Sequence, residues 1–470
     1  MKSNFKVIVV RGGPVGLTAA HALRQANIRF IVVERRAELY EDVGASLVLR
    51  PPTLRVMHQL GLLEKLRKIG VGIHTSRSFT AQGYKFRATN EIFPAMQAKF
   101  VHSRARCIPS PPVHSPLTRA NSHGILPMCF HRAHLVQAFY DGLDDCGKAH
   151  IHTGKNVTQV EALPSGVRVT CADGSTYRGD LVVGADGVHS RVRRLMREQA
   201  LKLDPNADVN PEKPYTTHYR AMWFTFPRPE GCLPGEAADT HADKLSVQFL
   251  CGIDRAWMFL YEKLDEPTQE RRSYTEADRR EYRIKFEDMA VTEKYKVKDL
   301  FPARFTEGMA DLEEGMVQHW YWNRIVLVGD ACHKVTPNLG LGYNNGLQDV
   351  ATLVNRLHAL LDDAPGESPT SEALAGALDQ YQAARLQFAP DDLWLSGMVT
   401  RMWAWHNYVY WVLDRYILPN LPGMDYWVAK SAGEAGAKGE VLDYVAADEP
   451  FTGKIPWVHS IPRKASRSSV

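Results

Sequence analysis

The sequence predicts an α/β protein: a Rossmann-like dinucleotide-binding domain, an inserted β-sheet domain and a C-terminal helical, aromatic-rich segment. Three observations predict it. Residues 5 to 34 read as strand, glycine turn, helix, strand and acid. Two aromatic runs between 200 and 300 alternate as strands do. A second strand, glycine loop and helix follow at 322 to 361. At 470 residues the chain has room for two or three domains, and 44% hydrophobic with 23% charged residues are globular values. A net charge of +4 is small for this length and gives no reason to expect nucleic acid. Seven cysteines stand without a CxxC pair or metal-ligand spacing, which reads as a reduced, intracellular chain with no metal site. The opening residues read as a strand and not as a signal peptide. No apolar run reaches the roughly 18 to 20 residues of a membrane span.

In order, Phe5 to Val10 (FKVIVV) is the first strand and Pro14 to Gln25 the first helix. The turn between them calls for glycine. Gly12 and Gly13 let the backbone approach a pyrophosphate, and Gly16 lets the helix pack close to the strand. The helix N-terminus points its positive end at the phosphates. Glu34 falls where a carboxylate accepts hydrogen bonds from a ribose diol. The first fingerprint position, however, is Arg11 instead of glycine, and a long side chain fits poorly there. Gly44 and Ala45 belong to a loop able to pass a flat ring closely. Pro52 to Ile69 is a core-packing helix.

Residues 101–124 form an atypical insert with four prolines, four serines, three histidines and no acid. Its readings are a surface loop, a basic lid, or a retained intron. Phe130 to Gly147 resumes amphipathic order with Arg132 in its first turn, and 152 to 177 alternates as a meander. GADGVHSR then gives a turn at Asp186-Gly187 and a helix opened by Ser190 and Arg191. The runs YTTHYRAMWFTF and SVQFLCGIDRAWMFLYEKL form a sheet with a bulky face, hairpinned at Gly252 to Arg255, that can wall an apolar pocket. On the first run Tyr219 shares a face with Tyr215, Ala221 and Trp223, and Arg220 lies on the other. In GDACHKVTPNLGLGYNNG, Asp330 can hydrogen-bond a ribityl hydroxyl. Pro337, Gly340 and Gly342 build a backbone-rich loop before a helix from about Asn344 to Leu361. Residues 394–422 carry four tryptophans. They suit either an interfacial helix on a membrane, with a peripheral place on the endoplasmic reticulum, or packing onto the enzyme body or a second subunit. The tail, about 430 to 470, reads as loosely ordered.

Three separated motifs, RGGPVG with Glu34, GADGVHSR and GDACHKVTPNLGLG, together resemble the single-component, FAD-dependent aromatic-hydroxylase-type monooxygenases. The resemblance covers residues 5 to about 390 and is nearest the fungal members that epoxidise prenyl chains of meroterpenoids and indole diterpenes. It implies a Rossmann-like FAD-binding domain (about 1–75, 125–200 and 300–390) and a substrate sheet (about 76–100 and 200–300). It implies FAD as cofactor, NAD(P)H as co-substrate, and O2 with a small apolar terpenoid or prenylated aromatic as reactants. Glu34 would bind the adenosine ribose. Gly44, Ala45 and Val48 match the GASxG loop near the flavin, with Val48 replacing glycine. Arg132 matches the arginine that reaches the pyrophosphate or ribityl chain. Asp186 and Arg191 match the DG motif, and Asp330 the GD motif. Leu341 replaces the family's glutamine and Tyr343 its alanine. Tyr219 and Arg220 match the strand facing the substrate, with Tyr219 the candidate acid. The alternatives are ring hydroxylation of a phenol and, in another class, a non-catalytic flavoprotein-fold chain, which Arg11 and the insert favour.

Overall fold

The computed structural model describes residues 5–40, 42, 45–90, 122–163, 165–363, 365–366 and 368–463. Five short runs, Lys6–Val10, Arg29–Val33, Leu181–Gly184, Ile325–Leu327 and Ile151–His152, pair in parallel, and Tyr321–Trp322 closes one edge antiparallel. Lys6–Val10 is central, between Leu181–Gly184 and Arg29–Val33. Its Val7, Ile8 and Val9 are fully buried, as a strand covered on both faces requires. The helix Pro14–Gln25 packs so close to this sheet that a Cβ on Gly16 would stand 1.9 Å from the Arg11 carbonyl oxygen. Only glycine fits there. The long C-terminal helix of this layer runs from Leu341 to Asp363, three residues earlier than its sequence pattern suggests. The expected helix over 52–69 is two helices, Pro51–Gln59 and Leu63–Ile69, because Gly61 turns the chain at φ 72°. Val157–Leu163, Gly166–Cys171 and Thr176–Gly179 form the meander.

The second sheet has eight strands, in the order His333–Lys334, Thr306–Met316, Thr216–Pro227, Arg255–Thr268, Leu245–Cys251, Glu236–His241, Thr75–Thr80 and Lys85–Asn90. Thr306–Met316 thus belongs to this sheet and not to the dinucleotide domain, because it pairs along Thr216–Thr225. One face buries Met222, Phe224 and Phe226 beneath the helix Glu276–Ile284 and its neighbours. The other face looks toward the dinucleotide domain. The hairpin turn at Gly252 is closed by its N–H donating to the Arg255 carbonyl at 2.8 Å.

The C-terminal part forms the helices Ala389–Trp403, Tyr408–Val412 and Met424–Ala437, then a strap over 438–463. The strap is held, contrary to the loose order its composition suggests. Fully buried Arg55 pairs with Glu449 at 2.6 Å and lies 4.1 Å over the Trp457 ring. Gln59 donates to the Leu442 carbonyl, Asn355 to that of Val441, and the Tyr444 hydroxyl to that of Ala22. Residues 101–121 of the insert, and Gly44, lie outside the described residues. The insert's last residues are integrated: His123 is buried, stacks on Trp457 at 4.0 Å, and places Nε2 2.9 Å from the Gly433 carbonyl oxygen. Among the described residues no helix is long and apolar enough to cross a membrane.

Candidate active site

A cavity of about 1250 Å3 runs between the two sheets and under the C-terminal helices. Its polar end is built on the glycine turn. Gly13 lines it, and nothing stands within 4 Å of where its Cβ would be. The helix behind it has no side-chain cap, so its N-terminus is open to an anion. Glu34 is only 4% exposed and organises the turn: its oxygens accept from Gly12 N–H at 2.8 Å and Arg36 N–H at 2.9 Å. Arg11 also lines the cavity, at φ 93°, with its guanidinium 3.5 Å from Glu34. Arg132 lines the cavity and is exposed. Desolvation lowers its pKa, Asp330 opposes this, and Arg36 and Arg11 lower it further. Three guanidinium groups therefore converge on one end of the cavity. Asp330 lines the cavity and holds Lys334 Nζ at 2.8 Å through Oδ2.

The glycine-rich loop forms one wall. Gly340 is left-handed at φ 63°, and a Cβ on it would stand 2.9 Å from Val48 Cβ. Val48 fills the place of the expected glycine by packing on this loop. Pro337 and Gly342 also line the wall. Tyr343 lines the cavity too, with its hydroxyl 2.8 Å from Thr18 Oγ1, bridging two helices. The loop is fastened from behind by Asp349, which is 0% exposed. Its Oδ2 accepts from Gly329 N–H and His333 Nε2, and its Oδ1 from Arg385 Nε, each at 2.7 Å. Burial would raise this carboxyl, but His333 and Arg385 lower it to about 2. Cys332, His333 and Asp349 converge as metal ligands do, yet Asp349 is saturated by these donors and burial holds Cys332 as a thiol. The group is a hydrogen-bonded brace.

Several expected site residues stand elsewhere. Asp186 lines the cavity, but its carboxylate caps a helix, accepting from Ser190 Oγ and from the N–H groups of Arg191 and Val192. Arg191 points away and donates to the Thr158 carbonyl at 3.0 Å. Ala45 contributes its carbonyl, which accepts Arg132 N–H at 3.1 Å. Tyr219 does not line the cavity. It stays in register with Ala221 and Trp223 and pairs with Lys263, but its hydroxyl lies 2.8 Å from His406 Nδ1 under the C-terminal segment. Arg220 faces the opposite side, paired with Glu262 at 2.9 Å and stacked over Tyr282. On the second sheet it is Tyr261 that lines the cavity. Its hydroxyl donates to Gln248 Oε1 at 3.0 Å, and Gln248 Nε2 donates to the Asn338 carbonyl at 2.9 Å. This chain joins the second sheet to the glycine-rich loop. Alternation along AWMFLYEKL places Tyr261 with Phe259, so the signal was present in the second aromatic run.

Beyond this chain Phe259, Leu250, Met398, Met402 and Trp403 give the cavity a largely apolar wall. The polar end fits a dinucleotide: an open glycine, an uncapped helix, three guanidinium groups and a ribose-type carboxylate. The fold and this end define a flavin-dinucleotide-binding protein. Residues 4–392 match the family described as FAD binding domain. The chain is 33% identical over 455 residues to the FAD-dependent monooxygenase spyC of Aspergillus fumigatus, covering 94% of this chain and 88% of that protein. It is 30% identical over 488 residues to the FAD-dependent monooxygenase srdH of Neurospora crassa, covering 97% and 99%. The fold matches Klebsiella pneumoniae HpxO complexed with FAD and uric acid at a TM-score of 0.69, with 20% identity over 93% of this chain and 97% of that one. The chain belongs to the FAD-dependent monooxygenases.

Proposed function

We propose that this monooxygenase uses NAD(P)H and O2 to epoxidise or hydroxylate an apolar terpenoid or prenylated aromatic intermediate of fungal secondary metabolism. The observation that carries the reading is the continuity of the cavity, from a cationic dinucleotide end to an apolar chamber under the C-terminal helices. Glu34 would hold the ribose, Gly13 with Arg36 and Arg132 the pyrophosphate, and Asp330 the ribityl chain. Pro337, Gly340 and Gly342 would form the backbone edge against the ring. Bound and reduced, FAD would activate O2, one atom of which passes to the substrate while the other leaves as water. The protein's part is to orient the substrate and keep the chamber dry. Tyr261, buried and linked through Gln248 to the ring-side loop, positions a hydroxyl proton at the boundary between loop and substrate.

The test is purified holoprotein with labelled O2, offered a prenylated phenol and the same phenol unprenylated. Label is expected in the prenyl-bearing compound, with Tyr261→Phe slowing single-turnover oxidation about 10²-fold or more and Tyr219→Phe leaving it unchanged. Preferential labelling of the bare phenol would favour ring hydroxylation, and protein that retains no flavin would favour the non-catalytic reading. We also propose that residues 394–422 rest on a membrane surface, at the endoplasmic reticulum. Trp394 and Tyr408 are 67% and 74% exposed, beside outward Val409, Tyr416 and Leu421. Flotation with phospholipid vesicles checks this: protein remaining at the bottom of the gradient removes the idea.

A further inference from the structure

A charged cluster is buried in the apolar chamber, and the oxygen-transfer reading makes no use of it. His241, 2% exposed, ends the strand Glu236–His241. Its Nε2 lies 2.8 Å from Asp239 Oδ2 and its Nδ1 2.6 Å from Asp414 Oδ2. Trp405 Nε1 donates to the same Asp414 oxygen at 2.9 Å. The Trp403 ring stacks on the imidazole at 5.4 Å, and Phe86 meets it edge-on at 5.3 Å. Asp239, His241 and Asp414 all line the cavity beside Phe86 and Trp403. The nearby guanidinium groups are engaged elsewhere: Arg87 pairs with Asp425 at 3.0 Å, and Arg415 lies over the Phe86 ring at 4.8 Å.

The charges fix what this cluster can bind. Burial disfavours a cationic imidazole, but Asp414 and Asp239 raise its pKa to about 9. Two carboxylates and one imidazolium leave a net single negative charge. Both imidazolium protons are consumed inside the cluster. What remains toward the cavity is acceptor capacity: Asp414 Oδ1 has no donor among the described residues, and Asp239 Oδ1 has only Ser76 Oγ at 3.5 Å. Asp414 Oδ1 is not among the fully buried unpaired atoms, so it opens to the cavity, beside the Phe86 and Trp403 rings. A ligand that fills the chamber must bring the donor.

We propose that Asp239, His241 and Asp414 form the polar anchor of the substrate chamber, accepting a hydrogen bond from a donor head group, a hydroxyl or an ammonium, on an otherwise apolar molecule. The anchor is assembled from the second sheet and the C-terminal segment, whose residues are more than 170 positions apart. It rests on the apolar-substrate reading above. Holoenzyme is titrated with the prenyl alcohol farnesol, with farnesylamine and with farnesyl methyl ether, reading the flavin absorbance change and tryptophan quenching. The ether matches the alcohol in chain and lacks the donor.

The alcohol or the amine is expected to bind about tenfold or more tighter than the ether, and which of the two does so identifies the head group. That preference is expected to fall to within about twofold in Asp239→Asn and in Asp414→Asn. It is expected to persist in Trp405→Phe, which removes only the indole contact to Asp414. Persistence of the preference in both asparagine variants overturns the anchor. Equal binding of all three ligands to the parent also overturns it, and leaves the apolar-substrate reading standing. Binding of none of them removes both.

Discussion

Asp349→Ala is expected to be the most damaging single change behind the cofactor loop. The carboxylate accepts three hydrogen bonds at 2.7 Å, one of them from Arg385, which is itself 4% exposed. Removing it leaves a buried guanidinium with only Asn345 Oδ1 at 3.2 Å, together with an unpaired Gly329 N–H. Breaking a buried ion pair from one side costs about 3–5 kcal/mol. Unfolding entropy is about 2.1 cal/mol/K per residue, or roughly 1 kcal/mol/K for a chain of this length, so the melting point should fall by roughly 3–5 °C. FAD should be released first, because Gly329 precedes Asp330 on the same turn. The acid limb follows from the same group. Its folded pKa is lowered to about 2, so its contribution is present above its ordinary range near 4 and disappears as the pH falls through about 2. The assay is thermal melting followed by flavin and tryptophan fluorescence together. Asp349→Leu combined with Arg385→Met should regain at least half of the loss, since no charge is then left unpaired. A single variant that melts within 1 °C of the parent, with full flavin retained, would refute the reasoning.

Three further outcomes are expected. Arg11→Gly should raise FAD occupancy: it removes a non-glycine residue at φ 93°, a strain of about 1–2 kcal/mol, and frees Glu34 from a partly exposed ion pair. Flavin-to-protein ratios measure it, and equal, full occupancy in both forms means that the turn tolerates arginine. Raising the pH through about 9 should loosen the C-terminal segment. The folded His241 pKa is raised, so its contribution is complete below about 6.5 and is lost as the pH passes 9, on the order of 3 kcal/mol. Hydrogen exchange over 400–420 reads this, and a flat profile from pH 6 to 10 contradicts it. Truncation after residue 437 should destabilise the dinucleotide domain by several kcal/mol, because Arg55 then loses Glu449 and Trp457, and Gln59 and Asn355 lose the carbonyls of Leu442 and Val441. Urea titration of the truncated chain checks it, and an unchanged midpoint would show the strap to be dispensable.

What the sequence determined by itself was set by local chemistry. The strand–turn–helix–acid spacing fixed the dinucleotide unit, because a helix packed 1.9 Å from a would-be Cβ admits only glycine at position 16. Glu34, Gly13, Val48, Asp330, Pro337, Gly340 and Gly342 all line the cavity, since short-range turn geometry dictates where they point. The placements of Tyr219, Arg220 and Arg191 failed for tertiary reasons. The overlying His406 took Tyr219 out of reach, and no periodicity in YTTHYRAMWFTF reports what a segment nearly two hundred residues later will cover. The same holds for the strap, whose basic, polar composition hides contacts to Arg55 and Asn355. It holds for the Asp349 brace and the His241 cluster as well. Each joins charges far apart in sequence, and a charge is tolerated in a buried place only when a partner from another element arrives to meet it.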